Sequence, residues 1–435
     1  MKEASSGGGE SALVRGIGVL GLAAGIVNVT VGGGIFRLPA DVARGLGPAA
    51  PLAYLVCVIA MGLIVLCFAE AGSRVQLTGG PYAYVETAFG PFLGFMAGVL
   101  VWILGTLALA AVSVVFATNA GQLIPPLRTS VGSALFLVTV FTILSVVNVL
   151  GVRRGAALNS VATVAKLLPL LLLLAAGPFF VRASNLAWVD APSPAAVSRT
   201  AILLIFAFCG VESALLPSGE VQDPSRTVPR AIFIAMIGIT LLYVGLQLVA
   251  QGVLGSELGT AETPLADAAG RMFGPGGRTL LLVGATVSMF GYVSGMTLAV
   301  PRALFAFARD GFLPRVVASV HPRFHTPHVA IAIQSAIACA LAVTGTFERL
   351  AILASSAVLL LYAACSLAAW RLRRLDVRAG GVPFRVPAAG VVPIAACLAI
   401  LWLLTSVRRE EWAALATALG IASLLFAVTA KSRRR

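Results

Sequence analysis

Within the apolar stretch Asn28-Val-Thr-Val-Gly-Gly-Gly-Ile-Phe-Arg-Leu-Pro-Ala40 stand three adjacent glycines, Gly32, Gly33 and Gly34, with Pro39 close behind. Glycine weakens a helix by about 1 kcal/mol relative to alanine and proline removes a backbone donor, so a helix drawn through this stretch should unwind around Gly32–Gly34. Backbone groups freed inside an apolar segment must find partners. A half-helix N-terminus then offers N–H groups to a carboxylate, and a half-helix C-terminus offers carbonyls to an ammonium. An α-amino acid carries both groups on one carbon. A second stretch, Leu204-Ile-Phe-Ala-Phe-Cys-Gly-Val-Glu-Ser-Ala-Leu-Leu-Pro217, has the same character, with a break expected at Cys209-Gly210 and an ionisable Glu212 just beyond it. Glycines in membrane helices also serve close packing. Three in a row with a proline, matched by a second break, favour a binding site at the meeting point of two inverted halves.

Among the ionisable residues within the apolar stretches, Lys166 and Glu212 are the candidates for coupling and gating. Lys166, in Asn159-Ser-Val-Ala-Thr-Val-Ala-Lys-Leu-Leu-Pro-Leu170, sits where a charge costs at least ~2.5 kcal/mol on insertion scales. A buried lysine can lose its proton and so couple transport to protons; the plainer reading is a lysine that snorkels to the interface. Glu212 could take a proton, gate the site or pair with a cationic substrate, or serve as a hydrogen-bonded structural carboxyl. Arg37 follows the first break, where it either faces an outer water-filled vestibule or repels cationic substrates. Glu70, Arg74, Glu220, Asp223, Arg226 and Asp310 form a candidate set of ion pairs at one end of the helices, each worth about 0–1 kcal/mol if exposed and so suited to a switch. His321, His325 and His328 share a loop rather than the i, i+4 positions of a helix, so neither a metal site nor any other cofactor is expected.

The elements that must hold these residues follow from composition. Of 435 residues, 59% are hydrophobic and 11% charged, too few to coat soluble domains. Apolar stretches near the ~20 residues needed to span a bilayer recur twelve times: 16–43, 50–73, 89–118, 131–149, 158–180, 198–217, 229–252, 279–307, 328–345, 349–370, 389–406 and 411–430. The fold class expected is an all-α polytopic membrane protein of about twelve spans. Residues 16–180 and 198–370 are then two five-helix repeats of inverted topology with broken helices at positions one and six, and 389–430 adds two further helices. The net charge of +14 gives no cause to expect nucleic acid here, because Lys and Arg gather in alternate loops: Lys2 and Arg15, Arg74, Arg153 and Arg154, Arg226 and Arg230, Arg309 to Arg323, Arg371 to Arg385, and the 431–435 tail. The positive-inside rule places those loops and both termini in the cytoplasm. Residues 1–15 read as a disordered cytoplasmic tail, not a signal peptide. All six cysteines fall in apolar spans, where a free thiol behaves as a small hydrophobe.

These residues resemble the amino acid–polyamine–organocation permeases. Gly32-Gly-Gly-Ile-Phe-Arg-Leu-Pro39 is similar to that family's first-helix signature, and Ala69-Glu-Ala-Gly-Ser-Arg-Val-Gln-Leu-Thr-Gly-Gly-Pro-Tyr-Ala-Tyr84 to its second helix and following loop. Phe206-Ala-Phe-Cys-Gly-Val-Glu212 with Gly219-Glu-Val-Gln-Asp-Pro-Ser-Arg-Thr-Val-Pro-Arg-Ala231 resembles the sixth helix and its loop, and Ala308-Arg-Asp-Gly-Phe-Leu-Pro314 the end of the eighth. The resemblance implies alternating access, with a bundle of helices 1, 2, 6 and 7 rocking against a scaffold. It implies that Gly33 and Gly34 N–H groups hold a substrate carboxylate and that carbonyls of Thr30, Phe206 and Cys209 hold its ammonium, with Gly32 and Gly210 as the remaining break glycines. Phe206 would close over the substrate from outside; Phe208 is a further gating candidate for which apolar packing is an equal alternative. Lys166 matches a fifth-helix lysine that in some relatives fills the space of a sodium ion, with Ser294 its proposed partner on the eighth helix. Arg37 departs from the family, which has an apolar residue there. Heavy-chain-bound relatives carry a cysteine after the third helix; residues 119–130 have none, so no disulfide-linked partner is expected.

The resulting expectation is a bacterial inner (plasma) membrane transporter, monomer or homodimer, whose partners are the bilayer, a neutral amino acid and protons, with sodium-independent exchange as the rival of symport. A channel lacks a repeated filter sequence to support it. An enzyme or ATP-driven pump would need HExxH, Gly-x-Ser-x-Gly or Walker residues that do not occur. A transporter-like sensor would normally bring a signalling domain.

Overall fold

The computed structural model describes residues 17–75, 77, 79–151, 167–188, 191–215, 221–378, 382–386, 388 and 390–432. Among these, helix is the only regular structure apart from one isolated bridge between Ile17 and Val221. The α-helices in chain order are α1 (Val19–Thr30), α2 (Leu38–Leu46), α3 (Ala50–Arg74), α4 (Pro81–Phe89), α5 (Pro91–Leu123), α6 (Ser130–Leu150), α7 (Leu167–Phe179), α8 (Pro194–Phe208) and α9 (Val211–Ala214). They continue with α10 (Pro224–Leu254), α11 (Pro264–Ala299), α12 (Pro301–Arg309), α13 (His328–Thr344), α14 (Phe347–Arg374), α15 (Val391–Leu404) and α16 (Arg409–Ser432). Among the described residues seven helical segments are long and apolar enough to cross a bilayer, and there are five shorter apolar helices of 10–17 residues. The protein is polytopic and all-helical.

The shortness of two helices has a local cause. α1 has 12 residues and α8 has 15, about 18 and 22 Å at 1.5 Å per residue, less than a hydrocarbon core of about 30 Å. Each is cut at a break, and the chain continues as α2 and α9 respectively. Elsewhere glycine and proline set boundaries. Gly90, at φ 90°, ends α4 and precedes Pro91 at the start of α5, so the span expected over 89–118 is the single helix α5 from residue 91 on, with α4 a separate short helix before it. α11 likewise contains a kink at Gly274 (φ 72°) followed by Pro275, and Pro301 opens the separate α12. Proline in a first turn sacrifices only an N–H that has no helical partner.

The core forms where helices are apolar all round. α5 buries residues on every face along most of its 33 residues and packs against α4, α11, α13 and α14. A second group joins α1, α2, α3, α8 and α10, and α14 touches both groups. α6 buries only Leu137, Phe141, Leu144 and Asn148, while Val131, Leu135, Val138, Ile143, Val146 and Leu150 stay exposed. Such a face suits lipid.

At one end the two groups are joined by an ionic cluster around Glu70, which is 2% exposed. Arg74, four residues on, donates Nε and Nη2 to its carboxylate at 3.0 and 2.9 Å. Arg373 of α14 donates Nε at 2.6 Å and a second bond from Nη2, and the Val386 N–H adds another at 3.2 Å. Arg74 also caps Val377 O, and the Ser73 hydroxyl accepts from Phe384 N–H. Breaking a buried ion cluster from one side leaves uncompensated charge, so Glu70→Ala should cost about 3–5 kcal/mol. The expected outcome is earlier loss of the monodisperse peak on heating in detergent; an unchanged profile would mean that this cluster does not hold α3 to α14.

Candidate functional site

The first break is built residue by residue. Val31 N–H makes the last helical bond of α1, to Val27 O at 2.9 Å. Val31 itself has φ −74° and ψ 76°, the values of an inverse γ-turn, and Gly32 N–H accordingly turns back to Thr30 O at 2.8 Å. A short 3₁₀ turn, Gly33–Phe36, leads into α2. Gly33 and Gly34 N–H groups stand at the head of that turn, with no helical acceptor behind them. Space explains why they are glycines. A Cβ on Gly33 would lie 2.6 Å from Val112 Cγ1 of α5, and one on Gly34 would lie 3.0 Å from the Phe206 ring.

The second break meets the first. α8 ends at Phe208, Cys209 is extended at φ −66° and ψ 147°, and Gly210 takes φ 129°, a region that disfavours any side chain. A Cβ on Gly210 would come within 2.9 to 3.0 Å of Thr30 Oγ1, N and Cα. The two breaks therefore touch backbone to backbone. Thr30 Oγ1 is buried there without a hydrogen-bond partner.

Tyrosines from three other helices surround this contact. The Tyr243 hydroxyl of α10 donates to Thr30 O at 2.9 Å and Ala207 O at 3.0 Å, the carbonyls that end α1 and α8. Both carbonyls belong to negative helix ends. Tyr362 of α14 donates to Glu212 Oε2 at 2.6 Å, while Glu212 Oε1 accepts Gly210 N–H at 2.8 Å. Glu212 is 2% exposed and has no basic partner among the described residues. The Tyr292 ring of α11 lies 3.7 Å from where a Gly32 Cβ would be. Farther along α10, Gln247 and Gln251 continue the polar stripe, Gln247 bonding Tyr54 and Gln251 reaching Asn185 O and Gly255 O.

Thr30, Gly32, Gly33, Gly34, Phe206, Cys209, Gly210 and Glu212 are thus brought together. Phe206 lies over Gly34 and meets Phe347 edge-on at 5.6 Å. Phe208 is fully buried and packs edge-on against Tyr243 at 5.4 Å, the apolar alternative left open above. Cys209 is half-buried and its thiol donates to Ile205 O. Ser294 is half-buried on α11, two residues beyond Tyr292; Lys166 and Glu220 lie outside the described residues. Of the candidate gate set, Glu70 and Arg74 share the cluster with Arg373, whereas Asp223 pairs locally with Arg226 at 3.8 Å and Asp310 with Arg309 at 3.2 Å. Arg37 donates to Ala261 O and Glu262 O at 3.0 and 3.1 Å and pairs with Asp41 at 3.3 Å, tying the first break to the segment before α11. Sequence reasoning passed over Tyr243, Tyr292, Tyr362 and Arg373. A usable signal existed for the tyrosines: a hydroxyl deep in an apolar span needs a partner, and the chain has only six tyrosines.

The family model described as "Amino acid permease" matches residues 17–430. The serine/threonine exchanger SteT of Bacillus subtilis is 28% identical over 414 residues, covering 91% of this chain and 92% of that protein. The methylthioribose transporter of the same organism is 26% identical over 417 residues (92% and 90% covered), and an uncharacterized transporter of Mycobacterium bovis is 32% identical over 399 residues (87% and 88%). The chain belongs to the amino acid permease family of the amino acid–polyamine–organocation superfamily, whose members here are membrane transporters and not enzymes.

Proposed function

We propose that this protein is a secondary active transporter of neutral L-amino acids in a bacterial inner membrane, working by alternating access. The observation that carries the reading is the contact of Gly210 with Thr30, which sets two helix C-terminal ends beside the N–H groups of Gly33 and Gly34. A zwitterion meets both kinds of backbone group at one place. Gly33 and Gly34 take its carboxylate, the carbonyls of Thr30, Phe206 and Cys209 take its ammonium, and Phe206 closes above. Twelve spans in two inverted repeats of five plus two helices, with both termini and the Glu70 cluster cytoplasmic, fit this reading. So does the packing of α1, α2, α3, α8 and α10 as one group, which we assign to the moving bundle. Glu70 then joins bundle to scaffold and releases on inward opening.

Glu212 carries the proton in this scheme. Its carboxyl sits at the junction of both breaks between two neutral donors, so protonation there alters the contact between the half-helices. Lys166, with Ser294, holds the fifth-helix coupling position. Exchange is the second reading, favoured by the relative whose name is that of a serine/threonine exchanger.

Reconstituted protein should take up radiolabelled L-alanine into empty liposomes under an inward proton gradient, and Glu212→Gln and Lys166→Ala should abolish the gradient's effect. Uptake confined to amino-acid-loaded vesicles would make the protein an exchanger; no uptake and no competition by any amino acid would sink the substrate assignment. Gly33→Ala introduces overpacking worth about 1–3 kcal/mol, so uptake should fall about tenfold or more and recover in part with Val112→Ala. Failure of that second change to rescue would remove the steric account of Gly33.

A further inference from the structure

Tyr243 is fully buried, and its hydroxyl is the one described side-chain donor that reaches both Thr30 O at the end of α1 and Ala207 O in the last turn of α8. One hydroxyl has one proton. It lies between two acceptors at nearly equal distances, 2.9 Å to Thr30 O and 3.0 Å to Ala207 O, and serves them in turn. The two acceptors are not equivalent. Thr30 O also receives Gly32 N–H at 2.8 Å through the γ-turn. A carbonyl has two lone pairs, so Thr30 O retains one bond when the tyrosine proton turns wholly to Ala207 O. That turn releases a lone pair at a helix C-terminus, and the unpartnered Thr30 Oγ1 lies beside it. Edge-on contact with Phe208 restrains the ring, so the switch needs movement of a proton only.

We infer that the Tyr243 hydroxyl stands in for the substrate's ammonium, capping both half-helix ends in the unloaded carrier and yielding Thr30 O when an ammonium arrives. Tyr243 is a positioning residue in this account, and the inference rests on the amino-acid reading of the site. Without such a donor, two negative helix ends would face each other in an apolar interior each time the unloaded carrier closed. With it, the unloaded carrier can close and return. The loaded carrier does not depend on it to the same degree, because the ammonium brings its own N–H donors.

The test is a donor series at one position. Binding of L-alanine to detergent-solubilised protein is measured at equilibrium for the wild type, Tyr243→Phe and protein carrying 3-fluorotyrosine at 243, whose hydroxyl is a stronger donor in an almost unchanged shape. Removing the competing donor should tighten binding about fivefold, and strengthening it should weaken binding. In liposomes, Tyr243→Phe should lower the ratio of net uptake to exchange by about tenfold, since only net uptake needs the unloaded carrier to return. Binding that weakens with phenylalanine and is indifferent to fluorination overturns the inference and leaves Tyr243 a packing residue. If phenylalanine does not yield folded protein, the fluorinated variant alone decides. Wild-type protein that binds no amino acid at all would instead overturn the proposed substrate class.

Discussion

The constraint on which this structure depends is that a backbone group opened inside an apolar interior has to be answered by another group of the protein or by a ligand. The chain opens two helices at Thr30 and Phe208 and then answers most of what it has freed. Gly32 N–H returns to Thr30 O, Glu212 takes Gly210 N–H, and Tyr243 reaches the carbonyl ends. The tightness of this arrangement dictates residue identity. Gly210 has no room for a side chain because Thr30 is its neighbour, and Gly33 has none because Val112 is.

From that constraint the division of labour among helices follows. α10 and α14 do not line a break with their backbones, yet each supplies a hydroxyl that completes one: Tyr243 for the helix ends and Tyr362 for Glu212. α5 contributes shape, since its buried face bears Val112 against the first break. Arg37, just before α2, and Arg44 within it donate to carbonyls at 259–262, so the half of the first span beyond the break is held through its own arginines. Arg37 thus does a tethering task in this chain.

Much of this was legible in the sequence, because the strongest signals were local. Glycine, proline and their order mark where a helix cannot continue, and both breaks fall where Gly32–Gly34 and Cys209-Gly210 place them. Long apolar runs identify the helices, although Pro301 divides the stretch 279–307 that hydropathy alone joins. Partners across helices were much less legible. Nothing adjacent to Glu70 in the chain names Arg373, and nothing near Thr30 names Tyr243, because such pairings arise from packing between distant segments. Glu70 was recognised as part of an ionic set, but Asp223 and Asp310 resolved into local pairs while its cross-helix partner came from a stretch read only as an orientation signal.

The Glu70 cluster also bears on how the chain is made. Glu70 and Arg373 are separated by 303 positions, so at about 5–20 residues per second a ribosome takes on the order of 15–60 s to deliver the second after the first. α3 must wait in or at the bilayer for that interval with its carboxylate unmatched by α14. Arg74, one helical turn away, covers the wait: a local pair offsets the charge on Glu70 from the moment α3 forms. The pair that is least informative about tertiary structure is therefore the one present from the start, and Arg373 joins it once α14 arrives.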